Sequence, residues 1–455
     1  MQYDRIIAHG EAFIKGLLFD CRSCGQCVLR STGMVCPMTC PKGLRNGPCG
    51  GTLNGACEVR PDRQCVWVRI HKRTAHGELN LPPLLPSTDT ALSNTSSYVN
   101  YFSGDDKVGR SPLAYPNLGH DQVSAPLQTL STLEAKLKSG AFVKTCEVRS
   151  PRSADFTEMM QHALAVTGSF DAVNATAYLN GKPSMPSPVA AAKLAENGIE
   201  AIAQATARDH TKTSFISELL THHGNKVNNI LCLTGDSYKG RPRSKQVYDM
   251  DSSLMLYEAR WLRDSGVIQF TGDALPDPPR LFLGAAINPF SSPPDVPLIR
   301  LKQKAAAGAD FIQTQLVFDV EQFRAFMDLV RSERLDRDLF ILAGVPVVTS
   351  RKALAVLPTV PGVHLPAEIA RRLESATNIK REGVALAREI AAELSAMPGV
   401  AGVHLMLFGA DNSVLRDVVR DLPAMRIGAS IPGESPSAAH ESGDNMTEEV
   451  CQSLV

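Results

Sequence analysis

Between residues 141 and 408, short apolar and β-branched runs alternate with longer stretches whose apolar positions recur every three to four residues. The runs predict eight strands: AFVKTCEV from Ala141, DAVNATA from Asp171, EAIAQATA from Glu200, NNILCLT from Asn228, LFLGAAI from Leu281, FIQTQLV from Phe311, LFILAGVPV from Leu339 and GVHLMLF from Gly402. Helices are predicted over 187–197, 247–264, 320–330 and 379–396, with Gly198, Gly266 and Gly399 as C-terminal stops. Continuously apolar strands interleaved with helices imply a parallel sheet covered on both faces. About eight such units in about 290 residues match an α/β fold of the (β/α)8 or TIM barrel kind, with a doubly wound open sheet as the competing topology.

The flanks break this pattern. Residues 78–126 are rich in Pro, Ser, Asn, Gly and Thr and predict a linker or surface strap. Residues 428–455 are small and polar and predict a disordered tail. The expected division is a cysteine-rich module over 1–77, the strap, a barrel over 127–427, and the tail.

Composition narrows the classes. The 455 residues are 44% hydrophobic and 21% charged, within the globular range. Lys and Arg (47) balance Asp and Glu (47), so no net field favours nucleic acid. The first residues lack a basic segment followed by an apolar one, and no run of 18 apolar residues occurs, so a cytoplasmic protein without a membrane partner is expected.

Of 11 cysteines, eight precede residue 66: Cys21, Cys24, Cys27, Cys36, Cys40, Cys49, Cys57 and Cys65. In a reducing compartment this crowding points to metal rather than disulfides. The opening C-x2-C-x2-C and the prolines after Cys36 and Cys40 fit an iron-sulfur cluster, while paired cysteines equally suit zinc; eight thiolates suffice for two four-ligand sites. The glycines between Lys42 and Gly55 lack the Gly-Lys-Ser/Thr ending of a phosphate loop and read as turns around such a site.

In a barrel the reacting groups stand at the C-terminal ends of strands. There the sequence places Glu147, Asn174 and Thr176, Gln204 and Thr206 before Arg208-Asp209, Thr234-Gly235-Asp236, and Gln313 with Gln315. Glu147 and Asp236 would converge on one mouth, where differing environments can split them into a neutral acid and an ionised partner. By contrast His222 and His223 read as cations capping a helix end, and Cys146 and Cys232 as small core residues.

Several phrases resemble the methylenetetrahydrofolate reductase family: NILCLTGD (from Asn229), VYDMDS (from Val247), GAAINPF (from Gly284), KAAAGADFIQTQLVFD (from Lys304) and AGVPV (from Ala343). The cysteine phrases CRSCGQCVL, CPMTCPKGLRNGPCGG and CVW resemble the small subunit that accompanies reductases of acetogen type, here fused in front. The resemblance implies a flavin-dependent barrel, with FAD or FMN, interconverting 5,10-methylenetetrahydrofolate and 5-methyltetrahydrofolate. It implies Glu147 as general acid, Asp236 as the carboxylate stabilising the iminium, and Gln315 bonding the pterin or nicotinamide. Thr176, Gln204, Arg208, Asp209, Gly235, Asp236 and Asn288 fall at flavin-facing positions, and Arg300 and Lys304, four apart on one helix face, suit its phosphates. NAD(P)H or a ferredoxin-like carrier is the implied electron source, and a homo-oligomer the implied assembly.

Two departures stand out. Where the family reads Glu-x-x-Pro-Pro, this chain reads Glu147-Val148-Arg149-Ser150-Pro151, and Val348, Thr349 and Ser350 replace a stacking phenylalanine. Two readings without this redox chemistry compete: a folate barrel passing a methyl group to a corrinoid protein, and a non-catalytic electron-transfer subunit.

Overall fold

The computed structural model describes residues 2–52, 54–74, 84–106, 113, 130–178, 182–238, 244–409 and 411–427. Eight parallel strands close into one barrel in chain order, β1 (Val143–Val148), β2 (Ala172–Ala175), β3 (Ala201–Thr206), β4 (Asn229–Leu233), β5 (Phe282–Ile287), β6 (Phe311–Leu316), β7 (Phe340–Val348) and β8 (Val400–Phe408). Each predicted run supplies one strand, and the open-sheet alternative is excluded by the β1–β8 pairing.

Alternation along the strands sorts the side chains into an interior and an outer shell. Inside, Val143, Ala172, Ile202, Leu231, Phe282, Phe311, Leu342 and Ala401 fill the bottom, sealed by Leu133 and Leu137 of the short helix Thr132–Lys138. Gly284 is required here, because a Cβ would lie 2.2 Å from the Phe311 ring. Above this apolar layer comes a polar one: Asn174 and Gln313 exchange amide hydrogen bonds of 2.8 and 3.2 Å, and Thr145 bonds His404 at 2.9 Å. Cys146 and Cys232 are fully buried in the outer shell between strands and helices.

One predicted helix start moves. The helix expected from 247 begins at Ser252, because Asp251 accepts from the Ser253 and Leu254 amides, while the Val247 and Tyr248 amides bond back to Arg208 and Ala207. His222 stands in the last turn of the helix Lys212–Gly224, as expected, but is fully buried there, with Nε2 3.4 Å from Glu218.

The cysteine-rich part has little regular structure: helix α1 (Gln2–Phe19), helix α2 (Val66–Thr74) and a small core of Val35, Val66 and Ile70. The described part of the strap, 84–106, carries helix α3 (Ser97–Ser103) and packs on this module, with the Asn46 amide bonded in both directions to the Leu85 backbone. Of the rest of the predicted strap only Leu113 is described, its amide donating to the Leu84 carbonyl at 3.0 Å, and the whole predicted tail lies outside the described residues. Among the described residues no helix is long and apolar enough to cross a membrane.

Candidate active site

The polar strand ends open on a cavity of about 310 Å³ at the C-terminal mouth of the barrel. Its walls include Glu147, Gln204, Thr234, Gly235, Asp236, Asn288, Arg300, Lys304 and Gln315, so most of the residues predicted for the site do meet. The roof comes from the other end of the chain: Pro48, Cys49, Gly50 and Gly51.

Charged and polar bonds fix that roof. Lys42, buried, donates to the Gly235 carbonyl at 2.8 Å and pairs with buried Glu58, whose carboxylate accepts from the Ser237 amide at 3.2 Å. Asn288 donates to the Gly50 carbonyl at 2.8 Å, and Arg300 to the Asn46 carbonyl. The glycine run permits this approach. A Cβ on Gly47, at φ 132°, would lie 2.6 Å from the Arg300 guanidinium, and one on Gly51 would overlap the Glu58 carboxylate. The turns serve contact with the barrel as much as the folding of the cysteine segment itself. Sequence reasoning missed Lys42, Asn46 and Glu58; their only signal was that glycine run.

At the acid end, Glu147 stands on β1 at the wall of the cavity. Burial pushes its pKa up, with Arg149 pulling the other way. Glu147 also borders a second cavity, of about 640 Å³, to which Arg149, Arg152 and Lys182 contribute. Thr176 lines that second space instead of the first, its hydroxyl accepting from the Ser150 amide at 3.1 Å. Asp236 is exposed at the rim. Gln315 donates to the Pro361 carbonyl at 3.0 Å, and its amide oxygen accepts from Leu316.

Arg208 and Asp209 form a wall rather than a free binding pair. Arg208 makes a two-pronged contact with Asp209 and donates to the Tyr178 and Asp236 carbonyls, with its guanidinium 4.9 Å from the Tyr238 ring centre. Burial pushes Asp209 up, but Arg208, Thr206 and Tyr238 outweigh it and hold its pKa below the usual carboxylate range. Arg300 and Lys304 are buried and face the cavity instead of solvent. Burial and neighbouring Arg300 drag the Lys304 pKa down to about 7.

Residues 113–420 match the family model described as methylenetetrahydrofolate reductase, and residues 1–81 match the one described as methylene-tetrahydrofolate reductase C terminal. The chain belongs to the methylenetetrahydrofolate reductase family. Similar curated proteins include the probable methylenetetrahydrofolate reductase (NADH) of Oryza sativa, 27% identical over 48% of this chain and 38% of that one. Another is the probable methylenetetrahydrofolate reductase (NADPH) of Caenorhabditis elegans, 22% identical over 62% of this chain and 39% of its own length. The chain thus spans about two fifths of the curated reductases it matches. Among solved structures, a Clostridium thermocellum protein described as binding two copies of 5-methyl-5,6,7,8-tetrahydrofolic acid aligns with a TM-score of 0.46 at 15% identity, over 64% of this chain and 97% of that one.

The eight clustered cysteines are all free, and seven of them fall into two groups. Cys21, Cys24, Cys27 and Cys36 line a cavity of about 250 Å³ under α1, where a hydrogen bond from Cys36 pulls the Cys21 thiol down to about 6. Cys40, Cys57 and Cys65 line another of about 560 Å³. Cys49 stands apart in the roof of the barrel cavity, with Sγ 3.6 Å from Glu58. Among the described residues, no three such side chains converge closely enough to hold a single metal ion.

Proposed function

We propose that this protein is a flavin-dependent methylenetetrahydrofolate reductase, interconverting 5,10-methylenetetrahydrofolate and 5-methyltetrahydrofolate. The observation that carries the reading is a carboxylic acid with a raised pKa, Glu147, on the same cavity as two buried cations, Arg300 and Lys304, in a chain of this family. The donor set fits a flavin. An anionic phosphate beside Arg300 and Lys304 would offset the burial and the Arg300 repulsion that together depress Lys304, and Gln204, Thr234 and Asn288 offer neutral polar contacts. A bound flavin supplies or accepts the hydride exchanged with the one-carbon unit.

The chain's own residues handle the proton and the charge. Glu147, its pKa raised by burial, gives a proton to the departing ring nitrogen as the five-membered ring opens, and takes it back in reverse. The cation left on the folate is stabilised by Asp236 at the rim. Gln315 orients the pterin, and Arg149, Arg152 and Lys182 in the neighbouring cavity suit the carboxylates of the glutamyl tail. The roof over 48–51 limits water at the reacting centre.

In the same reading the cysteine-rich segment carries an iron-sulfur cluster or zinc, held by Cys21, Cys24, Cys27, Cys36, Cys40, Cys49, Cys57 and Cys65. Cys21, Cys24, Cys27 and Cys36 share one cavity, which supports a four-thiolate site there. Electrons would come from NAD(P)H or a ferredoxin-like carrier.

Glu147→Gln tests the assignment. The variant should allow its flavin to be reduced by an artificial donor yet lose at least about a hundredfold in the rate of reoxidation by methylenetetrahydrofolate, the usual scale for a lost general acid. Turnover near that of the unmodified protein would remove Glu147 from the role.

A further inference from the structure

Helix α1 is amphipathic in the wrong sense for a helix on a folded domain. Ala8, Glu11, Ala12 and Lys15 face inward over the four-cysteine cavity, and Glu11 is bonded to Lys15, Ser96 and Ser97. Its large apolar side chains face out: Tyr3 is 82% exposed, Phe13 74% and Leu17 77%, with Ile6, Ile7, Ile14 and Leu18 exposed beside them. At 100° per residue these seven and Gly10 fall within an arc of about 140°, and Asp4, Arg5 and Lys15 lie outside it. Tyr98, Tyr101 and Phe102 of α3, next to Glu11, extend the apolar surface.

Six of the seven pair off symmetrically about Gly10, while Leu18 has Gln2 as its counterpart. Ile7 and Phe13 lie three residues to either side, Ile6 and Ile14 four, and Tyr3 and Leu17 seven. Gly10 itself faces open space, with nothing within 4 Å of where a Cβ would stand. In an antiparallel helix pair crossing at Gly10, position 10−n of one helix meets position 10+n of the other. Ile6 then meets Ile14, Ile7 meets Phe13 and Tyr3 meets Leu17, each contact occurring twice. That self-complementarity is what a two-fold interface requires, and a bare glycine at the crossing lets the helix axes come close.

We propose that α1 pairs with α1 of a second copy of this chain, in antiparallel register about Gly10. Size supports this occupant: seven large apolar side chains, between 43% and 82% exposed along one 18-residue helix, are more uncovered apolar surface than a stable monomer leaves and form the apolar core that a two-fold interface needs. Chemistry supports it too, because an uncharged stripe of this kind suits a permanent contact better than the small, wet and transient encounters of electron carriers. The pairing would set two four-cysteine cavities back to back behind the helix pair. The proposal is independent of the reaction assigned to the barrel.

Sedimentation velocity on the full chain tests it with three proteins. The unmodified chain should sediment as a dimer at micromolar concentration, and Ile6→Glu should lose the dimer. Ile6→Glu combined with Ile14→Lys should regain it, since only across the two copies do positions 6 and 14 meet; eight residues apart on one helix, they cannot pair within a chain. An unmodified monomer, a dimer indifferent to Ile6→Glu, or a double variant that stays monomeric would each overturn the proposal. If removing residues 428–455 were what turned a monomer into a dimer, the stripe's occupant would be that segment and the proposal would equally fail.

Discussion

Lys304 lies buried beside Arg300, and its pKa of about 7 makes it a reporter of anion binding. A phosphate drawn into the cavity raises that pKa, so binding takes up a proton in the window between about 7 and the higher bound value. Affinity for flavin phosphate should therefore weaken as pH rises from 7 to 9, and Lys304→Gln should flatten that dependence; titration of the flavin-free protein at several pH values measures it. Equal slopes in the two proteins would take Lys304 away from the phosphates. Glu258 is a second buried charge, on the helix Ser252–Ser265, where neither carboxylate oxygen finds a hydrogen-bond partner among the described residues. Burial pushes its pKa up to about 7. Between the ordinary value of 4.5 and 7 the folded state holds a proton that the unfolded chain has lost, so stability falls across that window and stays lower above it. Glu258→Gln should gain up to about 3 kcal/mol in urea unfolding at pH 8 and nothing at pH 4. An equal gain at both would show that the effect is not titration. Glu147 and Gln204 were legible as candidates from sequence, since a polar residue at the end of an apolar strand has few reasons to be there, and Asn288 through the family resemblance. Lys42 and Glu58 were not: nothing local marks a lysine in a glycine-rich turn as the partner of a carbonyl 193 residues away.

At the level of elements, all eight strands were readable because a buried parallel strand has few ways to be written other than as a short apolar run. The helix start near 252 was misplaced because apolar periodicity at Val247 and Tyr248 looked helical, while Asp251 is the residue that satisfies the first free amides. The glycine run was half read: its turns were evident, but not that Gly47 and Gly51 are bare so that Arg300 and Glu58 can press against them. α1 shows the complementary limit. Its apolar spacing is plain in sequence, yet only the structure shows that the apolar side faces out and the small and polar side faces the cysteines.

Taken whole, the molecule is a barrel whose mouth is roofed by its own cysteine-rich segment. Asn46 to Arg300, Gly50 to Asn288 and Lys42 to Gly235 tie the two parts at the cavity, and His71 adds a contact of 2.6 Å to Asp295. The cysteine-rich segment and the barrel cavity are thereby joined through residues 42–51. The proposed reaction is hydride exchange between a flavin and a one-carbon folate in that cavity. The most direct measurement is anaerobic: load the full chain with flavin, reduce it with an artificial donor, add 5,10-methylenetetrahydrofolate and follow the isoalloxazine absorption. Return of the oxidised spectrum with stoichiometric 5-methyltetrahydrofolate is the predicted result. A protein that binds no flavin, or whose reduced flavin persists unchanged in the presence of the folate, would contradict it.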